Sequence, residues 1–189
     1  MKEAPPRAAM LALAIHEHTE FVLVTPHYPE NVGAVARAIK TMGFTRLTLV
    51  KPSRIASPEH EMARKMAVKS GDVLDQARRC ATLAEALAER DLVVATTSRR
   101  GTSGARVPRS VAPEIEAAAR AGRSVAIVLG NEKSGLTAEQ LALAHERVRI
   151  PMAADQPSIN LAQAAQILAY ELFVAALEAR ARARSAAPR

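Results

Sequence analysis

Ile150-Pro-Met-Ala-Ala-Asp-Gln-Pro-Ser-Ile-Asn-Leu-Ala-Gln-Ala-Ala-Gln-Ile-Leu-Ala-Tyr170 passes from the end of a strand, through a polar loop with two prolines, into a long helix. Asp155, Gln156, Ser158 and Asn160 fall within six residues where that helix begins. A helix start leaves unpaired N–H groups and a partial positive charge, so carboxylates or ribose hydroxyls can be held there. Ser158 or Asn160 would serve equally as an ordinary helix cap. What comes before this stretch decides between the two readings.

Upstream, strands and helices alternate. Residues 21–25 (FVLVT) are a short apolar run rich in β-branched residues, the signature of a buried parallel strand. From Asn31 the pattern turns helical: Val32, Val35, Ala36, Ile39 and Met42 share one face, and Gly43 ends the helix. Residues 46–50 form the next strand, which completes a βαβ unit and calls for a parallel sheet with a right-handed crossover. Residues 58–70 are expected as a helix, and Thr82 and Glu85 as a capping box opening a helix to Arg90. Strands follow at 91–96, 124–129 and 147–150, with helices at 111–121 and from Thr137.

The alternation predicts an α/β fold, a mainly parallel sheet flanked by helices. One domain spans 20–176, with a flexible N-terminal extension at 1–19, loose or carrying one short helix, and a basic C-terminal tail at 177–189. Ligands of such sheets bind beyond the C-terminal ends of the strands. Three loops there are chemically rich, at 25–37, 129–136 and 150–161.

Composition narrows the partners. A net charge of +7, with arginine ahead of lysine, favours polyanions such as RNA or DNA. With three Phe, two Tyr and no Trp, stacking on bases is not the main mode of binding, and phosphate contacts carry the affinity. The single cysteine, Cys80, precludes an intramolecular disulfide and fits a reducing compartment, so the expected location is cytoplasmic. No apolar run approaches the roughly 18–20 residues that span a bilayer, and residues 8–15 lack a signal-peptide cleavage site. Neither a membrane nor a metal is expected, since His16 and His18 stand without further ligands.

Gly130-Asn-Glu-Lys-Ser-Gly135 fits neither GxGxxG nor GxxxxGK[ST], and no GxSxG elbow exists, so kinase, dehydrogenase and serine-hydrolase chemistries have no anchor. Arg37 lies five positions from Val32, about 140° around the helix, and so points away from the core.

Taken together, three stretches resemble the motifs of the SPOUT methyltransferases, specifically the TrmH-like ribose 2′-O-methyltransferases and, within them, the TrmJ branch. They are Pro29-Glu-Asn-Val-Gly-Ala-Val-Ala-Arg37, Ile127-Val-Leu-Gly-Asn-Glu-Lys-Ser-Gly-Leu136 and Ile150-Pro-Met with Ser158-Ile-Asn-Leu-Ala-Gln-Ala-Ala165. Their order and spacing agree with the family over about residues 20–176. The resemblance implies a C-terminal deep trefoil knot threaded around 150–176, S-adenosyl-L-methionine as cofactor, a homodimer, and an RNA substrate, tRNA at the anticodon loop first.

Carried over residue by residue, the cofactor pocket falls on Thr96, Thr97, Ser98, Leu129, Gly130, Ile150, Pro157, Ser158 and Ile159. The catalytic set falls on Arg37, Asn31, Glu132, Ser158 and Asn160. Candidate RNA contacts are Arg37, Arg46, Lys51, Arg54, Arg99, Arg100 and Arg106. Arginine stays protonated in proteins, so Arg37 is read as an organiser of ribose and phosphate, with the family's proposal of proton acceptance left open. Alternatives are 2′-O-methylation of ribosomal RNA, a base methyltransferase, and a catalytically silent RNA-binding protein on the same fold.

Overall fold

The computed structural model describes residues 11–99 and 101–186. Six strands, β1 (Thr19–Val24), β2 (Leu47–Val50), β3 (Arg78–Cys80), β4 (Leu92–Thr96), β5 (Val125–Leu129) and β6 (Glu146–Val148), form one sheet in the order β3-β2-β1-β5-β4-β6. Every pairing is parallel, with Val22 beside Thr48 on one side and Val128 on the other. The two central strands are buried along their whole length, which is why they read as continuous apolar runs.

Alternate residues of β1 feed two cores. Phe21 and Leu23 join a large cluster with Val35 and Ile39 of α2 (Pro29–Thr41), Ile115 of α6 (Pro108–Arg120) and Leu168 of α8 (Leu161–Ala186). Val22 and Val24 face a thinner layer with Leu83 of α5 (Leu83–Leu87) and Leu141 of α7 (Ala138–Ala142). The remaining helices, α1 (Ala14–His18), α3 (Glu61–Ala67) and α4 (Gly71–Asp75), also contribute to the large cluster. Gly33 lets α2 press against α3, because a Cβ there would come 2.0 Å from the Ala63 carbonyl oxygen.

Several expectations shift. Helix α2 begins at Pro29 rather than Asn31, since proline suits a first helical position whose N–H is unused. The region expected as a helix at 58–70 is the shorter α3. In the segment expected as a loose extension or one short helix, residues 14–19 are the short helix α1 and the start of β1, with Ile15 and His16 buried. Residues 1–10 of that extension lie outside the described residues. The tail expected from 177 continues α8 as helix to Ala186, exposed over its last turns.

Helix α8 is long and apolar enough to cross a bilayer by length and composition alone. Its apolar side chains instead cover the core, Leu168 and Leu172 being almost wholly buried. His16 packs edge-on to Phe44 and stacks on Phe173, inside the protein.

The segment after β4 returns along β6. Arg106 bridges Val148 in parallel sense, its N–H donating to the Arg147 carbonyl (2.9 Å) and its carbonyl accepting from Arg149 (2.8 Å). Strand β6 therefore lies between β4 on one side and residue 106 on the other.

Candidate active site

The loops following β1 and β5 leave the sheet side by side, where the chain order of the strands breaks and doubly wound sheets open a crevice. Thr25 and Lys51, each the first residue after its strand, take left-handed backbone conformations (φ 47° and 44°). Such angles are costly for residues with a Cβ and persist where surroundings hold them. Asn131 supplies part of that hold, donating through Nδ2 to the Thr25 carbonyl at 2.6 Å. Its Oδ1 accepts from the Lys133 N–H at 2.9 Å, which folds the loop back on itself. Gly130 is required by the close approach, since a Cβ would lie 2.4 Å from the Gly135 carbonyl carbon.

Glu132 is the centre of the polar arrangement. Its carboxylate accepts the N–H groups of His27 (2.9 Å) and Tyr28 (3.3 Å) and the Asn31 side-chain amide (3.0 Å). The Asn31 Oδ1 in turn accepts from Asn160 Nδ2 at 3.0 Å. Asn160 also caps α8, its Oδ1 accepting from the Ala162 N–H at 2.9 Å. One continuous hydrogen-bonded chain thus joins the loops at 25–37, 129–136 and 150–161, across 101 and 129 residues of sequence. Asn160, which the sequence allowed as either cap or site residue, caps α8 and also joins the chain from Glu132 through Asn31.

Beside this chain lies a cleft with an empty volume of about 910 Å³, counting the solvent at its mouth. Thr96, Thr97, Ser98, Leu129, Gly130, Ile150, Pro157, Ser158 and Ile159, the whole expected cofactor set, line it. Leu136, Val148, Met152 and Leu161 add apolar wall, while Arg99, Asn131, Glu132, Lys133 and Ser134 add polar rim. A cleft with apolar side chains on its walls and an equal share of hydroxyls, charges and backbone groups suits a flat heteroaromatic ring joined to a polar sugar and amino-acid chain.

Arg37 is exposed on α2 and does not line this cleft. It faces an adjoining groove between α2 and α8, lined also by Ala34, Ala38, Ala162 and Gln166. Ile159 borders both cavities and marks where they meet. Among the described residues the Arg37 guanidinium has no ion pair or hydrogen-bond partner.

The proposed RNA contacts separate into three groups. Lys51, Arg54 and Arg99 are exposed after the C-terminal ends of β2 and β4. Arg46 precedes β2, at the opposite end of the sheet, and donates to the Glu17 carbonyl at 2.7 Å, so it is removed from the cleft. Arg106 is engaged by both carboxylate oxygens of Glu114 (2.8 and 2.6 Å), and those hydrogen bonds raise its pKa above the usual guanidinium value. Arg100 lies outside the described residues.

Sequence reasoning passed over Asn131, His27, Tyr28 and Lys133. The signal was present for the first and last, both inside the Gly130–Gly135 stretch. Cys80 is buried, and desolvation pushes its thiol above the ordinary value, which makes it packing rather than a nucleophile. Among the described residues no group of three or more His, Cys, Asp or Glu side chains converges on a metal-sized site.

Comparison with known proteins gives this geometry a family. The model of the SpoU rRNA methylase family matches residues 18–170. The chain is 42% identical over 156 residues to a protein of Escherichia coli K12 named "Uncharacterized tRNA/rRNA methyltransferase LasT", covering 80% of this chain and 66% of that one. It is 40% identical over 172 residues to the tRNA (cytidine/uridine-2′-O-)-methyltransferase TrmJ of Yersinia enterocolitica, covering 88% and 63%. The chain therefore spans somewhat under two thirds of the length of these relatives. A probable methyltransferase from Bordetella pertussis Tohama I superposes with a TM-score of 0.81 at 38% identity, over 86% of this chain and 97% of that one. Match, identity and superposition agree, and the chain belongs to the SpoU rRNA methylase family.

Proposed function

We propose that this protein transfers a methyl group from S-adenosyl-L-methionine to a ribose 2′-hydroxyl of RNA, with tRNA at the anticodon loop as the first-ranked substrate. The observation that carries the reading is the Glu132–Asn31–Asn160 chain, which brings the three family-like motifs together at the mouth of one cleft. The TrmJ relatives, named for tRNA cytidine/uridine 2′-O-methylation, favour tRNA.

The cleft fits the cofactor by its chemistry: apolar walls from Leu129, Leu136 and Ile150 for the adenine, and Thr96, Thr97 and Ser98 for polar edges. When bound there, the cofactor supplies an activated methyl on a sulfonium. The protein then has to orient a hydroxyl for in-line attack and ease loss of its proton. Glu132 fixes the loop at 27–28 and aims the Asn31 amide, and Asn31 aims Asn160. Ser158, exposed on the cleft wall, offers a hydroxyl to the incoming ribose. Arg37, uncommitted on the adjoining groove, holds ribose and phosphate and stabilises alkoxide character electrostatically.

The same reading includes a trefoil knot, a homodimer and a cytoplasmic location. The knot is supported by the seating of β6 between β4 and Arg106, the arrangement expected if the C-terminal segment threads the loop after β4. The homodimer rests on family likeness, and the cytoplasm on the lone buried thiol.

The test is incubation of the purified protein with methyl-labelled cofactor and total RNA from a strain lacking the gene. Alkali-resistant label in the tRNA band is the expected result. Label in ribosomal RNA would keep the chemistry and replace the substrate; no label and no cofactor binding would bring forward a silent RNA-binding protein. Arg37→Lys should lose on the order of 10²-fold in rate while retaining cofactor binding, because lysine lacks the planar fork. Near-normal turnover in that variant would remove Arg37 from its assigned role.

A further inference from the structure

The sequence is poor in aromatics, and the structure spends most of them inside. Phe21 and Phe44 are fully buried, and Phe173 stacks on His16. Among the described residues the two tyrosines are the exposed aromatics, Tyr28 at 40% and Tyr170 at 49%. Tyr170 lies on α8, with no hydrogen bond to the Glu132 chain. Tyr28 immediately precedes α2, and its N–H is held by the same carboxylate that aims Asn31.

Its ring is also braced. His27 meets it edge-on at 4.7 Å, and the Lys133 ammonium sits 5.6 Å from the ring centroid. The loop after β2 is tied to the same place, Ser53 donating through N–H to the Pro26 carbonyl (3.0 Å) and through Oγ to that of His27 (2.8 Å). That loop carries Lys51 and Arg54, both exposed and without ion pairs among the described residues. A fixed aromatic ring beside the candidate ribose site, with Lys133 against it and two more cations on the loop tied to its base, matches what a single-stranded nucleotide presents: a π-face and flanking phosphates.

We infer that Tyr28 is the platform on which a base next to the target ribose stacks, while Lys133, Lys51 and Arg54 take the neighbouring phosphates. The inference rests on the RNA methyltransferase reading and adds to it a positioning residue. Stacking holds the nucleotide out of its helix, so that its 2′-hydroxyl reaches the cleft. Because every base has a π-face, Tyr28 confers placement without sequence preference.

The experiment uses the full chain and an unmodified anticodon stem-loop RNA with a 5′ fluorophore, read by anisotropy, alongside methyl transfer to the same RNA. Tyr28→Leu should weaken RNA binding about 5- to 150-fold, the range expected for one lost base stack. Tyr28→Phe should restore it, and S-adenosylhomocysteine affinity, read by calorimetry, should stay at the wild-type level in both. Binding by Tyr28→Leu within about two-fold of wild type would overturn the inference. So would equal loss in Tyr28→Phe, which would assign the effect to the hydroxyl. If the wild type binds RNA through Tyr28 but methylates none, the catalytic reading fails and the platform stands. If the wild type does not bind RNA, both fall.

Discussion

Glu20 and Glu132 mark opposite ends of the two central strands, and their surroundings differ in kind. Glu20, near the start of β1, is buried and surrounded by the protein's own charges. It accepts from Thr48 Oγ1 at 2.5 Å, pairs with Arg90 at 2.5 Å and approaches Arg78 at 3.5 Å. Glu132, just beyond β5, accepts backbone N–H groups and a neutral amide, and among the described residues Arg37 on α2 and Lys51 and Arg54 after β2 make no ion pair. A carboxylate matched by internal cations holds strands together. One that organises a loop and leaves the cations free prepares a surface for an outside anion.

Removing each carboxylate in turn would break that contrast if it is wrong. Glu20→Ala strands Arg90, whose side chain is only 12% exposed, and should cost about 3–5 kcal/mol in a denaturant titration. The folded fraction should keep wild-type turnover per molecule. Glu132→Gln should do the reverse, lowering kcat on the order of 10²-fold, since displacements near 1 Å in a reacting geometry cost that much. Its denaturation midpoint should move far less than that of Glu20→Ala. Equal stability losses in the two variants would erase the distinction.

His16 sharpens the comparison from the structural side. Burial is the main cause that pulls its imidazole below the ordinary value, with the Leu11 and Met42 backbone and Glu17 opposing. Among the described residues neither ring nitrogen completes a hydrogen bond, and the ring rests against Gly43 and Phe44. The neutral ring is thus the folded form, and the unfolded chain binds the proton more readily. Stability is full above the ordinary imidazole pKa and falls as the pH drops below it. A series of denaturation midpoints from neutral to mildly acid pH should show that decline, and His16→Phe should flatten part of it.

How much of this was legible depended on what each region buries. Strands β1, β2, β4 and β5 announced themselves because parallel strands covered on both faces need unbroken apolar runs. Strand β3 did not: Arg78-Arg79-Cys80 sits at the sheet edge with two exposed arginines, so it leaves no apolar pattern. Helices α1 and α4, at five residues each, are too short to show a period. Motif order alone grouped the residues that line the cleft, whereas the link from Glu132 through Asn31 to Asn160 depends on side-chain geometry that spacing does not encode. Tyr28 was missed because composition argued against stacking for the whole chain, and one ring in the right place escapes an average.

The smallest effects test whether the two ends of the sheet also divide the arginines and lysines. Arg46 and Arg106 came from the sequence with the same standing as Lys51 and Arg54. The structure gives Arg46 the Glu17 carbonyl at the far edge, and gives Arg106 the two oxygens of Glu114. A cation already engaged releases no counterion on meeting a phosphate, while a free one does, and counterion release sets the salt dependence of RNA binding. Lys51→Gln and Arg54→Gln should each flatten the plot of log affinity against log salt by about 0.7 to 1. Arg46→Gln and Arg106→Gln should leave the slope where it was. A slope change in Arg106→Gln as large as that in Arg54→Gln would mean that the Glu114 pairing opens when RNA arrives. The division between holding charges and reaching charges would then be one of occupancy rather than of position.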